Sequence, residues 1–199
     1  MLIGPAAIGK STIMNEVARL DDRFSYVRAF TTRAMRPGEK SHYSFISKQE
    51  ANELIQSGQA ITHFEHPTTH DIYGTTAASY QTSYNLLDTL SIAVDTYQAL
   101  PFARHVTISL TASPEDWRVW FITRYPTPSF EAHKRLEEAK LSINWSLSSP
   151  TSYWLQNKED ETVETARRLI EIATTDHVHT GTPTEPRAML ELIEKGVWI

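Results

Sequence analysis

Apolar residues Ile13, Val17 and Leu20 fall on one helical stripe of "KSTIMNEVARL", so residues 10–20 predict an amphipathic helix. "YVRAF" (26–30) and "YSFIS" (43–47) read as short strands on either side of a polar loop, residues 31–42. Ser47 and Glu50 have the spacing of a capping box that starts a second helix, and Gly58 suits its end. "LSIAVD" (90–95) and "HVTISL" (105–110) are apolar runs of the length of buried parallel strands. A further helix opens with Ser113 as N-cap and Pro114 in its first turn. "YPTPS" (125–129) breaks that helix, and "FEAHKRLEEAKLSI" (130–143) resumes helical spacing. "SYWLQN" (152–157) is a short strand and "DETVETARRLIEIA" (160–173) a helix. Residues 174–186 form a Thr-, Pro- and Gly-rich linker, and "PRAMLELIEKGVWI" (186–199) a last amphipathic helix. The alternation of strands and helices predicts a three-layer α/β fold with a parallel central sheet.

With 199 residues, 40% hydrophobic and 22% charged, the chain is sized for one globular domain with a real core. A formal net charge of −5 argues against nucleic acid or an anionic membrane as partner. Any anion site must then be a local cluster of positive groups. There is no cysteine, which excludes disulfides, thiolate catalysis and Cys-ligated zinc. No apolar run approaches a membrane span and no basic-then-apolar leader is visible, so the expected location is cytoplasmic.

The first such cluster is "MLIGPAAIGKST", in which Gly4, Gly9, Lys10 and Ser11 fit the phosphate-loop pattern G-x-x-x-x-G-K-[ST]. Gly4, Pro5, Ala6, Ala7, Ile8, Gly9, Lys10, Ser11 and Thr12 form the expected ATP-binding set. The backbone would wrap the phosphates, Lys10 would reach the β- and γ-phosphates, and Ser11 would set its hydroxyl on Mg²⁺ with support from Thr12. The loop runs straight into a helix, whose N-terminus favours phosphate. Only Met1, Leu2 and Ile3 precede Gly4, so the strand expected before the loop is either very short or starts outside this sequence.

A second cluster is "FTTRAMRPGEKSHYSFIS" (30–47), with Arg33, Arg36 and Lys40 near Thr31, Thr32 and Tyr43. Two guanidinium forks can converge on one phosphate group; two arginines alone fit a solvated basic loop equally well. The order of residues, TTR followed by RPGE and Y-x-F, resembles the monophosphate-binding signature of the guanylate kinase family. "IYGTT" (72–76), "VDTYQA" (94–99), the spacing of Arg124 and Arg135, and "QNKED" (156–160) extend the resemblance across roughly residues 2–172.

That resemblance implies a P-loop kinase fold with a small acceptor-binding subdomain and a helical lid. The P-loop core would comprise 1–28, 78–122 and 146–173, the monophosphate-binding subdomain 29–77, and the lid 123–145, with 174–199 a linker and final helix. It implies transfer of a phosphoryl group from ATP, with Mg²⁺, to a small phosphorylated acceptor, GMP first. Arg33, Arg36, Tyr43 and Tyr73 would hold the acceptor's phosphate, and Thr75 its base or ribose. Lys10, Arg33, Arg124 and Arg135 would be the catalytic cations, and Asn157 would lie near the donor's adenine.

The family pattern is not matched throughout. Its guanine-contacting serine falls at Ala29, and its guanine-contacting glutamate at Thr62 or Glu65, of which only Glu65 can do that work. Its paired acids read Ala93 and Asp95, which leaves Asp95 for the base and no carboxylate for magnesium. The first lid arginine is Trp120, with Arg118 close by, and "GEKSHY" is two residues short with His42 before the tyrosine. Phosphate-binding residues are kept while base-reading residues are partly lost, which admits a kinase of a phosphorylated sugar, of the ribose bisphosphate type, as the alternative acceptor reading. A non-catalytic protein-binding module is the third reading; Lys10 and Ser11 argue against it. His63, His66 and His70, and the pair His177 and His179, lack the acidic or cysteine partners of a metal site. Trp117, Trp120 and Phe121 read as helix core.

Overall fold

The computed structural model describes residues 1–35, 43–67, 69–149, 152–175 and 183–198. The chain opens with β1 (Leu2–Ile3), the phosphate loop and α1 (Lys10–Leu20), then β2 (Phe24–Tyr26), β3 (Phe30–Thr31) and β4 (Ser44–Phe45). Next come α2 (Lys48–Gln56), β5 (Ala60–Glu65), β6 (Ile72–Thr76), β7 (Tyr84–Leu86) and α3 (Val94–Gln98). The remainder is β8 (Thr107–Thr111), α4 (Pro114–Arg124), α5 (Phe130–Ser148), β9 (Ser152–Gln156), α6 (Thr162–Thr174) and α7 (Glu185–Lys195). Among the described residues no helix is long and apolar enough to cross a membrane.

Local chemistry explains most boundaries. Ser47 accepts from Glu50 N–H at 3.1 Å while Glu50 accepts from Ser47 N–H at 2.7 Å, the reciprocal pair that starts α2. Ser113 and Ser129 cap α4 and α5 by accepting from the N–H groups of Asp116 and Ala132. α6 runs one residue into the expected linker, and α7 begins at Glu185 inside its far end.

Two expectations are overturned. Residues 26–30 are not one strand: β2 and β3 belong to different sheets. Residues 90–95 are not a strand either, but a 3₁₀ turn at Ser91–Ala93 leading into α3. Ala93, Val94 and Tyr97 are buried at helical spacing, so the apolar run that looked like a strand is one helix face. The strand lies six residues earlier, in β7, and Asp88 beyond it bridges to Leu2 in parallel.

The chain divides into two compact units. The first comprises Met1–Asp22, Asp88–Ile92 and Phe102–Ile199. Its parallel sheet has the order β1-β8-β9, with Ile3 opposite Ser109 and Thr111 opposite Gln156. All five residues of β8 are buried, as a central parallel strand requires. α1 packs on α6, α6 on β9, and α7 against α4 and α5. Trp117 and Phe121 are fully buried, as core residues should be, while Trp120 is half-buried with its indole N–H on Glu159.

The second unit, Arg23–Leu87 with Ala93–Pro101, holds the parallel pair β2-β7 and a mixed sheet of order β4-β3-β6-β5. α2 and α3 both pack on β5. Gly74 of β6 is buried beneath Phe30, and a Cβ there would run into the Phe30 ring and sit 2.5 Å from the Thr62 carbonyl. Gly74→Ala is therefore expected to cost about 1–3 kcal/mol by overpacking, read as a lower midpoint in chemical denaturation. An unchanged midpoint would mean that the sheet yields there.

Candidate active site

Residues 4–9 form a loop between the buried β1 and α1. Ile8 anchors the loop's middle in the core, with 1% exposure. Ala7 and Gly9 both have positive φ, 64° and 91°, which turns the backbone tightly around a hollow. Gly9 is the N-cap of α1, and neither a capping side chain nor an acidic residue occupies the first turn. The first-turn N–H groups lie outside the helix's own ladder and carry its positive end, so the geometry favours an anion. Ser11 and Thr12 stand exposed at this end.

Lys10 lies back across its own loop. Its ammonium donates to the Gly4 carbonyl at 2.7 Å and the Pro5 carbonyl at 3.1 Å. It also stands 3.9 Å from Asp88 Oδ1. Two side chains from other elements grip the loop: the Trp117 indole N–H donates to the Ala6 carbonyl at 2.9 Å, and Asn157 Nδ2 to the Ile8 carbonyl at 3.0 Å. Asn157 is thus buried against the loop itself.

Asp88 was missed in the sequence. Burial pushes its carboxyl above the usual range, opposed by the nearby charges of Lys10 and Arg124. A partly enclosed carboxylate beside the loop lysine, on a strand's exit, is a place for a functional acid. "YNLLD" carried the signal, a short apolar run closed by Asp, but the longer run 90–95 outweighed it.

Of the two arginines expected in a lid, Arg124 is the exposed last residue of α4, its guanidinium 5.8 Å from the Tyr125 ring centroid. Arg135 is held on α5 by Glu131 at 2.8 Å and Glu138 at 2.6 Å, with 17% side-chain exposure. Burial alone would pull this guanidinium down; the two carboxylates outweigh it and hold the charge. Arg118 donates through Nε to the Val197 carbonyl at 2.8 Å.

In the second unit, Arg33, Tyr43 and Tyr73 come together. The Arg33 guanidinium sits 5.5 Å from the Tyr43 ring centroid and 5.1 Å from that of Phe45. The Tyr43 and Tyr73 rings meet edge-on at 5.9 Å. Thr32 ties this corner to β6 by accepting from the Ile72 N–H at 2.9 Å. Arg36, Lys40 and His42 lie outside the described residues, as do His177 and His179.

Of the candidate base contacts, Thr75 shares a sheet face with Tyr73 and Glu65 does not. Thr62 pairs with Thr75 and Phe64 with Tyr73, so those four side chains share one face of the β5-β6 ladder. Glu65 pairs with Ile72 and points to the other face, where it is exposed and 2.5 Å from His70 Nδ1. Thr75 is fully buried, its hydroxyl 2.6 Å from that of Thr62 and 3.0 Å from that of Tyr80. Asp95 sits exposed in the first turn of α3, and Ala29 is a buried alanine.

The family model described as guanylate kinase matches residues 1–102. A guanylate kinase of Streptococcus thermophilus (strain CNRZ 1066) is 40% identical over 78 residues, 38% of this chain and 36% of that protein. The chain therefore spans little more than a third of that relative's length. A guanylate kinase of Lactococcus lactis subsp. lactis is 27% identical over 176 residues, 84% of each chain. The crystal structure of guanylate kinase from Anaplasma phagocytophilum has the same fold, with a TM-score of 0.58 at 21% identity, covering 100% of this chain and 94% of that one.

Proposed function

Because the chain belongs to the guanylate kinase family, we propose that it moves the γ-phosphate of ATP onto the phosphate of a nucleoside monophosphate, GMP first. The observation that carries this reading is the phosphate loop, whose lysine, turned backbone and uncapped helix start form an anion cradle. Phosphoryl transfer asks a protein mainly for positioning and positive charge. Lys10 and the backbone of residues 6–11 would hold the donor's phosphates, and Arg33, Arg36, Tyr43 and Tyr73 the acceptor's. Residues 123–145 would act as the lid, in which Arg124 is available to the transferred group. Arg135 would first have to exchange Glu131 and Glu138 for phosphate.

Mg²⁺ suits the oxygen donors present, the Ser11 hydroxyl and the Asp88 carboxylate. Among the described residues no group of three or more acidic or histidine side chains forms a metal cage. Bound there, Mg²⁺ would neutralise phosphate charge, and Ser11 and Asp88 would orient it.

The acceptor is the open choice, because Glu65 lies on the outer face of β5 and Thr75 is engaged by Thr62 and Tyr80. These observations favour a second reading, a phosphorylated sugar as acceptor. An ADP-release assay over GMP, AMP and phosphorylated pentoses decides between them. We expect GMP to be the best acceptor, with less than about tenfold preference over AMP in kcat/KM, since carboxylates on the guanine edge are what raise such ratios. Glu65→Gln should leave that ratio within about twofold. A selective loss of GMP turnover in Glu65→Gln would return the carboxylate to the base. Faster turnover of a sugar phosphate would keep the kinase and replace the acceptor.

A further inference from the structure

We infer that Asn157 is a positioning residue for the phosphate loop, turning the Ile8–Gly9 peptide toward a bound triphosphate, and that it does not read the donor's base. The inference rests on the reading of residues 4–12 as the triphosphate site.

Asn157 is fixed from both ends. Its backbone N–H donates to the Thr111 carbonyl at 2.7 Å, continuing the ladder between β8 and β9, so its Cα is held by the buried sheet. Its side chain is 7% exposed and donates through Nδ2 to the Ile8 carbonyl at 3.0 Å. A carbonyl can only accept, so this bond sets which way the amide faces. Nδ2 also occupies the space above Gly9, where a Cβ would lie 2.6 Å from it. Gly9 is thus required both by its φ of 91° and by the amide packed on it.

The consequence follows from peptide geometry. In a trans peptide the carbonyl and the following N–H point in opposite directions. Drawing the Ile8 carbonyl toward Asn157 therefore directs the Gly9 N–H the other way, to the hollow side of the loop. Trp117 does the same two residues earlier, since it takes the Ala6 carbonyl and so turns the Ala7 N–H. Alternate loop peptides are aimed by side chains that hold the loop's carbonyls. Asn157 Oδ1, meanwhile, is buried with no hydrogen-bond partner among the described residues.

Titration calorimetry on the full chain tests this with three probes: Mg²⁺-tripolyphosphate, MgATP and MgGTP. Asn157→Ala should weaken all three alike, by about tenfold, with a melting temperature within a few degrees of the wild type. Asn157→Asp keeps the shape but opposes a carboxylate to the Ile8 carbonyl, and should weaken them at least as much. Should burial of that charge unfold Asn157→Asp, the alanine variant still decides. Weaker MgATP with unchanged tripolyphosphate would make Asn157 a base reader and overturn the inference, as would three unchanged affinities. A wild type that binds none of the probes would remove the phosphate-loop reading itself, and the inference with it.

Discussion

Replacing Lys10 by methionine is expected to lower kcat at least about 100-fold, the scale for removing one preorganised charge from a phosphoryl-transfer site. Methionine keeps most of the stem's length, and with 16% side-chain exposure the lysine is packed along it. What disappears is the ammonium, and with it the donors that now reach the Gly4 and Pro5 carbonyls. Leaving those carbonyls to water or unpaired should cost on the order of 1–2 kcal/mol, so the far-UV circular dichroism spectrum at room temperature stays that of the wild type. Asp88 would lose one of the two cations that oppose its upward shift, and its carboxyl should move further up. Lys10→Arg should not restore turnover. An ammonium meets two carbonyls at 2.7 and 3.1 Å in a space that a planar fork does not fit. Turnover unaltered in Lys10→Met would end the enzymatic reading of this loop.

The loop was legible because its chemistry is local. Residues 4–11 need particular backbone turns and one lysine, and a motif records such demands directly. The same holds for the Ser47–Glu50 box and for Ser113 with Pro114, where partner groups lie within a few residues. Arg33, Tyr43 and Tyr73 were also readable, since the family signature names them, although three strands, β3, β4 and β6, are needed to bring them together. What stayed hidden depends on pairing between distant segments. The strand leading to Asp88 lost to residues 90–95, because a short apolar run fits a strand and a helix face alike until its neighbours are known. The face that Glu65 presents is set by the β5-β6 register, and the irregularity between Ala60 and Thr62 shifts that register. A one-residue slip sends every side chain to the other face, and composition carries no trace of it. Asn157 shows a third kind of limit. Its position beside Gly9 follows from β8 and β9 pairing across a long stretch of chain, so its hold on the loop appears only in three dimensions.

Asp88→Asn should separate activity from stability. If the carboxylate orients Mg²⁺ beside Lys10, its amide isostere lowers kcat about 100-fold, because one charged contact to the metal is gone while shape is kept. Stability should move the other way. The folded-state pKa of Asp88 is raised, since burial outweighs the attraction of Lys10 and Arg124. The native protein therefore holds a proton at pH values where the unfolded chain has released it, and this group's contribution to stability falls as pH rises through the folded pKa. Wherever it is ionised, the folded carboxylate is then a net cost that asparagine removes. The gain should be small, because 35% of the side chain remains exposed and water screens what is left. It should shrink as the pH is lowered and vanish below the unfolded value, near about 4. Paired melting curves and initial rates, taken between pH 4 and pH 8, read both effects on one preparation. Slower turnover with a melting temperature equal to or above that of the wild type at neutral pH marks Asp88 as part of the chemistry. A fall in both would make it a structural anchor for Lys10, and unchanged turnover would remove it from the site.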